Sequence, residues 1–133
     1  MFGLVEREVT LDWTQFTRME RTTVDAGFHC VTQWNRLENT WEGVAFSDVM
    51  KLVEPRPEAG FVMVHGENGY TTNVPLENLM RPDVLFADWH APEPLTAIHG
   101  APVRLVVPHL YAWKSAKWVR NLDFMAIDRA GFW

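Results

Sequence analysis

The sequence lacks several features, and each absence argues against a class of structure or function. It has a single cysteine, Cys30, so no disulfide can form within the chain. It has no run of about 18 apolar residues, so no membrane-spanning helix is expected. It has no excess of basic residues, and its net charge of −5 argues against a general nucleic-acid-binding protein. Because no signal peptide is recognisable at its start, we expect a cytoplasmic location.

The composition is that of an ordinary folded domain. Hydrophobic residues make up 47% of the chain and charged residues 22%, which allows a core and argues against disorder. At 133 residues, the chain is predicted to form one domain, residues 1–133. Seven tryptophans and eight phenylalanines are many for this length, so we expect some in the core and some lining a pocket.

Short apolar or alternating runs between turn residues predict the strands. These runs are residues 4–11 as an edge strand, 21–24, 28–34, 60–65, 70–74, 84–89, 103–107 and 118–127. In the last run, Leu122 and Phe124 are expected to point inward, together with Trp118 and Ala126. Residues 66–69, Gly-Glu-Asn-Gly, predict a hairpin with a type I′ turn.

Three short helices separate these strands. They are predicted from Asp12 to about Met19, from Ser47 to the residue before Pro55, and from Pro75 to Met80. Asp12 and Gln15 have the spacing of a capping box, and Trp13 is expected to be buried. Residues 35–43 and 90–94 are predicted to be loops, with His90 at the surface. Strands and helices alternate without a regular βαβ period, which favours an α+β fold with mixed sheets and short helices.

The first candidate for chemistry is Cys30, within Phe28-His29-Cys30-Val31-Thr32-Gln33-Trp34. This stretch is typical of a short buried strand that ends at a polar opening. Taken locally, Cys30 is best interpreted as a small core residue, because free cysteine is among the most buried residue types.

The second candidate is a basic cluster near residues 99–118. Arg104 interrupts the apolar run of residues 103–107, and a buried arginine is costly unless it meets an anion. Lys114, Ser115 and Lys117 follow, and they offer two ammonium groups and a hydroxyl, which suit a phosphate. The alternative is an ordinary surface turn in which Arg104 pairs with an internal carboxylate such as Asp123.

Four stretches, taken together, resemble the sulfite oxidase-like molybdopterin oxidoreductases over nearly the whole chain. They are Phe28-His29-Cys30-Val31-Thr32-Gln33-Trp34, Trp41-Glu42-Gly43-Val44, Gly69-Tyr70-Thr71-Thr72-Asn73-Val74-Pro75-Leu76, and His99-Gly100-Ala101-Pro102-Val103-Arg104-Leu105-Val106-Val107-Pro108 with Lys114-Ser115-Ala116-Lys117-Trp118. The resemblance implies the family's molybdopterin-binding fold and an oxidoreductase that performs two-electron oxygen-atom transfer. It also changes the interpretation of Cys30 from a core residue to a metal ligand.

The resemblance implies a role for each residue of these motifs. Cys30 would ligate molybdenum, and a thiolate suits this metal because it is a soft anionic ligand. The pterin and its phosphate would be held by His65, His99, Arg104, Lys114, Ser115 and Lys117. The substrate, sulfite or an S- or N-oxide, would face His29, Gln33 and Arg36. The family often has arginine where Gln33 stands, so sulfite is not singled out.

The same resemblance bears on partners. The sequence contains no Cys-x-x-Cys-His haem motif, so an external electron-transfer partner is expected. A homo-oligomer or a completing subunit is left open, with the edge strand at residues 5–11 as the expected contact. An alternative function is a trimmed binding or regulatory module that keeps the fold without the chemistry.

Overall fold

The computed structural model describes residues 1–25, 40–90, 93–108 and 116–127. The predicted strand at residues 28–34, and with it Cys30, lies outside the described residues. The described strands are β1 (Phe2–Gly3), β2 (Thr22–Asp25), β3 (Thr40–Ala45), β4 (Phe61–Gly66), β5 (Thr71–Pro75), β6 (Leu85–His90), β7 (Glu93–Pro94), β8 (Arg104–Val106) and β9 (Val119–Met125). The helices are α1 (Trp13–Thr17), α2 (Phe46–Val53) and α3 (Leu76–Leu79), and none of them is long and apolar enough to cross a membrane.

Two β-sheets form the framework of the domain. One has four strands in the order β1-β9-β4-β5, with β1 parallel to β9 and the other pairs antiparallel. The other has five strands, in which β2 pairs with β3, β3 with β6, and β6 with both β7 and β8. The α+β fold with mixed sheets and short helices is confirmed.

The main core lies between the two sheets and is closed by α2. The four-stranded sheet contributes Val62, Val64, Val74, Leu122 and Phe124, the five-stranded sheet contributes Val44, Phe86 and Leu105, and α2 contributes Phe46, Val49, Met50 and Val53. Because side chains alternate along a strand, the residues between these on β6 and β8 point to the opposite face of the five-stranded sheet. A second, smaller cluster lies there, formed by Trp41, Leu85, Ala87, Leu95 and Val106.

The capping box at the start of α1 is confirmed. The backbone N–H of Gln15 donates to Asp12 Oδ1 at 2.7 Å, and the backbone N–H of Asp12 donates to Gln15 Oε1 at 2.9 Å. The helix ends at Thr17, short of the predicted Met19. The predicted burial of Trp13 is wrong, since this side chain is 51% exposed. Its ring stands 5.9 Å from that of Phe16, at the edge of a cavity of about 510 Å³ between the N-terminal segment and β9.

The edge strand predicted at residues 4–11 is wrong. Only Phe2–Gly3 pairs with β9, and Val5 forms an isolated bridge to Pro55. The backbone of the following residues bonds instead to the end of α2: the N–H groups of Glu6 and Arg7 donate to the carbonyls of residues 54 and 53, at 2.9 and 3.1 Å. The expected partner contact along a strand at residues 5–11 therefore loses its basis.

Other differences have non-local causes. Residues 40–43 belong to β3 and not to a loop. Gly43 allows β3 to approach β6 closely, because a Cβ at this position would collide with the carbonyl oxygen of Phe86. α2 begins one residue before the predicted cap, with Ala45 at its N-cap, so Ser47 does not cap it. The hairpin between β4 and β5 is confirmed, but its turn is a 3-10 helix over Glu67–Gly69 and not type I′.

Three further expectations differ from the structure. Residues 93–94, predicted as loop, form β7, and His90, predicted as a surface or loop residue, is the last residue of β6. Leu122 and Phe124 are buried as predicted. Ala126 follows β9 and is exposed, so its predicted inward position is wrong.

Candidate functional site

Arg104 begins β8 on the face of the five-stranded sheet that carries the smaller cluster. Its register partner is Ala87, and it is 5% exposed. Its guanidinium carbon lies 5.0 Å from the centre of the Trp41 ring, within range of a cation–π interaction. Its Nε donates to the carbonyl of Leu105 at 3.4 Å. The charge that interrupts the apolar run of β8 is thus buried against an aromatic face.

Trp41 contacts both this guanidinium and His90, the last residue of β6. Its ring stacks on that of His90 with centroids 4.2 Å apart and planes 17° apart, and the two residues are register partners on β3 and β6. Asp25 on β2 pairs with Thr40 on β3, immediately before Trp41. β2 ends at Asp25 and β3 begins at Thr40, next to Trp41, and Cys30 lies between these two residues in sequence.

Lys117 approaches Arg104 from the segment before β9. Gly100, at φ +111, lies between them: a Cβ placed there would be 2.9 Å from Arg104 Cβ and 3.1 Å from Lys117 Cβ. Lys117 Nζ donates to the carbonyl of Ile98 at 3.1 Å, and the Trp118 indole N–H donates to that of Ala97 at 2.7 Å. These bonds tie the start of β9 to the 3-10 turn at Ala97–His99.

The electrostatics of this pair favour an anionic ligand. Burial lowers the pKa of Arg104 to about 10, while nearby Tyr70 raises it. Burial also lowers the pKa of Lys117, and the positive charge of Arg104 lowers it further. Arg104 therefore stays charged at neutral pH, next to a second cationic group and away from bulk water.

His65 lies on β4 directly before Gly66. Its Nε2 is buried and has no hydrogen-bond partner among the residues that the structure describes. Gly66 is in close contact with the basic cluster, since a Cβ on it would be 2.7 Å from the Lys117 carbonyl oxygen. A buried polar atom without a partner is costly, so a ligand for it is physically plausible.

The structure brings together part of the predicted site. Arg104 and Lys117 lie against Gly100, which the backbone of His99 directly precedes. His65 precedes Gly66, whose backbone approaches the Lys117 carbonyl, but the structure shows no contact of the His65 side chain with Arg104 or Lys117. The remaining predicted site residues lie outside the described residues: His29, Cys30, Gln33, Arg36, Lys114 and Ser115. Within the described ranges, no group of three or more His, Cys, Asp or Glu could hold a metal.

Two residues of the cluster were missed as site residues from the sequence. His90 was expected at the surface, and Tyr70 appeared only as a member of a motif. His90 stacks on Trp41 from β6, and Tyr70, which precedes β5, affects the pKa of Arg104. No local sequence pattern signals either interaction.

Comparison with known proteins gives the family. The family model described as oxidoreductase molybdopterin binding domain matches residues 1–133. The chain belongs to this family. It is 42% identical over 133 residues to the uncharacterized oxidoreductase YuiH of Bacillus subtilis, covering 100% of this chain and 67% of that protein. It is 33% identical over 109 residues to the sulfite oxidase of Arabidopsis thaliana, covering 69% of this chain and 28% of that protein.

A solved structure agrees with this assignment. The sulfane dehydrogenase SoxCD of Paracoccus pantotrophus superimposes with a TM-score of 0.84 at 26% identity. The match covers 94% of this chain and 37% of that one. The molybdopterin oxidoreductase fold is thus confirmed, and the chain spans only part of the length of these relatives.

The described residues fit the molybdopterin that the family binds. The Arg104 guanidinium and the Lys117 ammonium suit its anionic groups, and the buried Nε2 of His65 offers a further polar contact. Gly100 and Gly66 let these groups approach closely, because neither place has room for a Cβ without displacement. Molybdopterin is therefore the cofactor of this domain.

Proposed function

We propose that this domain catalyses two-electron oxygen-atom transfer on a small substrate, either sulfite or an S- or N-oxide. The observation that carries this proposal is the cluster of Lys117 with the buried Arg104 and Trp41, near Asp25 and Thr40, between which Cys30 lies in sequence. When bound, the molybdenum centre supplies the oxygen-atom transfer and exchanges the two electrons. The chain supplies binding, orientation and control of access.

Different residues bind the metal, the pterin, the phosphate and the substrate. Cys30 provides the thiolate that ligates the metal. Arg104 and His99 hold the pterin, with His65 as a further contact. The phosphate is bound by Lys117, which lies near Arg104, and by Lys114 and Ser115. His29, Gln33 and Arg36 follow or precede Cys30 closely in sequence and face the substrate.

The buried charge of Arg104 contributes in a specific way. A guanidinium that is already desolvated and held against Trp41 loses little solvation or conformational freedom when an anion arrives. Its charge can therefore be used to hold the cofactor in one orientation. We expect this preorganisation to matter more for cofactor retention than for the stability of the empty fold.

The partners follow from the same proposal. Electrons pass to or from an external protein, because a single cysteine excludes a covalently attached haem of the Cys-x-x-Cys-His type. A homo-oligomer or completing subunit, the absence of nucleic-acid and membrane partners, the single domain and the cytoplasmic location stay predictions.

The test is metal and pterin analysis of the protein purified from a host that makes the cofactor. We expect near-stoichiometric molybdenum, together with the fluorescence of oxidised pterin after denaturation. Turnover is then screened with sulfite and with S- and N-oxides. Well-folded protein without molybdenum or pterin would contradict the proposal and favour the alternative, a non-catalytic binding or regulatory module.

The role of Cys30 is tested in the same preparation. Cys30→Ser removes the soft thiolate and nothing else, so turnover should be lost while the thermal unfolding transition is retained. Arg36→Lys is a useful comparison, because it should alter substrate dependence and leave the molybdenum content unchanged. Unchanged turnover in Cys30→Ser would exclude this residue as the metal ligand.

A further inference from the structure

Residues 116–119 pair with β8 and form a β-bulge opposite Arg104. Two backbone hydrogen bonds enclose the bulge, from Leu105 N–H to the Ala116 carbonyl at 2.8 Å and from Val119 N–H to the Val103 carbonyl at 3.0 Å. On β8 only Arg104 lies between these bonds, whereas on the other side two residues do, Lys117 and Trp118. Such an extra residue bends its strand and redirects a side chain, and β-bulges are over-represented next to active sites.

The backbone of Trp118 adopts a rare conformation within this bulge. Its φ is +53, in the left-handed region that bulky residues seldom occupy. Backbone strain of this kind persists only where surrounding contacts determine it, and it concentrates at functional sites. Gly66 on β4 makes room for the bulge, since a Cβ there would be 2.7 Å from the carbonyl oxygen of Lys117.

The indole of Trp118 fastens the bulge to the 3-10 turn at Ala97–His99. Its N–H donates to the carbonyl of Ala97 at 2.7 Å, and the same carbonyl accepts the backbone N–H of Gly100 at 3.2 Å. One side chain therefore ties the start of β9 to a turn that is distant in sequence. The turn leads directly into Gly100, against which both Arg104 and Lys117 lie.

The Lys117 ammonium is held by the same turn and the same ring. Its Nζ donates to the carbonyl of Ile98 at 3.1 Å and lies 5.8 Å from the centre of the Trp118 ring, within range of a cation–π interaction. An ammonium has three N–H donors, so this hydrogen bond leaves two for a ligand. Trp118 thus contacts Lys117 directly through its ring and fixes the turn that accepts the hydrogen bond.

We propose that Trp118 is a positioning residue, which holds the Lys117 ammonium near Arg104 so that both charges bind the same anionic group of the cofactor. A lysine ammonium stands on a flexible four-carbon stem, and restraint before binding reduces the conformational freedom that is lost when the ligand arrives. This inference rests on the proposed cofactor-binding function and adds to it a residue that the comparisons do not assign.

The first experiment compares Trp118→Phe with wild type and with Trp13→Phe. Trp118→Phe keeps an aromatic ring and removes the indole N–H that binds Ala97. Trp13→Phe is the matched control, because it makes the same chemical change at an exposed tryptophan on α1. We expect Trp118→Phe to lose molybdenum and pterin about tenfold faster during dialysis, and Trp13→Phe to match wild type. Equal retention in Trp118→Phe and wild type would overturn the proposal.

Lysine NMR tests the position of Lys117 on the cofactor-free chain. The chain has three lysines, so labelling the lysine Cε with ¹³C gives three signals, and Lys117→Met identifies the one from Lys117. Burial and the charge of Arg104 lower the pKa of Lys117. In Trp118→Phe the released ammonium should move into water and away from Arg104, so its pKa should rise, while Trp13→Phe should leave it unchanged. A loss of stability alone would not raise this pKa in folded protein, and an unchanged pKa would reject the role of Trp118.

Phosphate binding shows whether Trp118 acts through Lys117. Inorganic phosphate should raise the unfolding temperature of the cofactor-free chain, and Trp118→Phe should weaken its apparent affinity about tenfold. Added to Lys117→Met, Trp118→Phe should cause no further loss, whereas an independent role would multiply the two effects. Full multiplication, or a wild type that binds no phosphate, would overturn the proposal.

These measurements separate this inference from the proposed function. Wild type without molybdenum and pterin would contradict the proposed function, and the Lys117 pKa and the phosphate affinity would still test Trp118. If Trp118→Phe does not fold, wild type alone decides, because the Trp118 indole N–H should exchange with solvent more slowly than that of exposed Trp13. Equally fast exchange would exclude the hydrogen bond to Ala97 and with it the role of Trp118.

Discussion

The guanidinium carbon of Arg104 lies 5.0 Å from the centre of the Trp41 ring, and the same ring stacks on His90. An indole is the best aromatic face for a cation, and the interaction strengthens when the pair is withdrawn from water. Arg104 is 5% and Trp41 3% exposed, so both conditions are met. This contact contributes to holding a charge within an apolar strand.

Removal of the Trp41 side chain should lower the free energy of unfolding substantially. Trp41→Ala takes a buried indole away from Leu85, Ala87, Leu95 and Val106, and we expect a loss of about 3–5 kcal/mol in the free energy of unfolding. Trp13→Ala is the control, because that tryptophan is 51% exposed and should cost less than about 1 kcal/mol. Urea unfolding of both variants measures the difference. Similar losses in the two would contradict the burial of Trp41 against the guanidinium.

The features that the sequence predicts well are local ones. The capping box at Asp12 and Gln15 depends on residues three apart, and the hairpin at residues 66–69 depends on a short turn signal. Arg104 stands out because it is a charge in an apolar run. Each of these can be recognised from neighbours in the chain.

The features that the sequence misses depend on distant contacts. Gly43 was interpreted as part of a loop, yet its absence of a side chain is required by Phe86 on another strand. The alternation at residues 4–11 resembles a strand, but the end of α2 takes up the backbone hydrogen bonds of that segment. Gly66 likewise has no room for a Cβ, because the Lys117 carbonyl would be 2.7 Å from it. Neither hydrophobic periodicity nor residue spacing predicts these contacts between residues that are distant in the chain.

The stability of the cofactor-free protein should depend on the ionisation of Arg104. Burial lowers its pKa to about 10 in the fold, well below the ordinary value for arginine, so the unfolded chain binds more protons above pH 10. The cost of burying the charge is fully present below pH 10 and is relieved as the pH rises through it. We expect the unfolding free energy of wild type, relative to Arg104→Gln, to rise by about 1 kcal/mol between pH 10 and 11.

The difference from Arg104→Gln is the quantity to follow, because lysines and tyrosines distant from Arg104 titrate in both proteins and cancel. The charge of Arg104 lowers the pKa of both Lys117 and Tyr70, so both proteins also carry Lys117→Met and Tyr70→Phe. Unfolding at each pH is measured in a buffer without phosphate or sulfate, so that no anion occupies the cluster. A difference that falls or stays level from pH 10 to 11 would contradict the burial of the Arg104 charge.

Gly100 should be sensitive to the smallest added side chain. Gly100→Ala places a Cβ at positive φ and 2.9 Å from Arg104 Cβ, so it combines backbone strain with displacement of the basic cluster. Gly69 also has a positive φ, but nothing lies within 4 Å of its hypothetical Cβ. Gly69→Ala should therefore cost about 1 kcal/mol by strain alone, and Gly100→Ala about 1–3 kcal/mol more.

Cofactor retention distinguishes these two glycine variants further. Because Gly100 separates Arg104 from Lys117, Gly100→Ala should lose molybdenum and pterin faster than wild type, while Gly69→Ala should retain them normally. Thermal unfolding of each variant shows that the comparison is made on folded protein. Equal retention in both would mean that the close approach at Gly100 is not needed for binding.

The ion pair between Arg21 and Asp88 should hold β2 on the five-stranded sheet. Arg21 Nη1 and Nη2 donate to the two carboxylate oxygens at 2.9 and 2.6 Å, and its Nε donates to Glu42 at 3.3 Å. The Asp88 side chain is only 9% exposed, whereas the Arg120–Glu67 pair is 66% and 48% exposed. We expect a double-mutant coupling energy of about 2 kcal/mol for Arg21–Asp88 and less than about 1 kcal/mol for Arg120–Glu67.

Hydrogen exchange shows where this stabilisation acts. β2 pairs only with β3 among the described strands, and it leads directly into the segment that contains Cys30. Arg21→Met should therefore speed amide exchange in residues 22–25 and leave β4 unchanged, because β4 belongs to the other sheet. Uniform acceleration in both sheets would indicate a global loss of stability. Faster exchange confined to β2 would show that this bidentate pair fixes the strand from which the proposed metal-ligand segment extends.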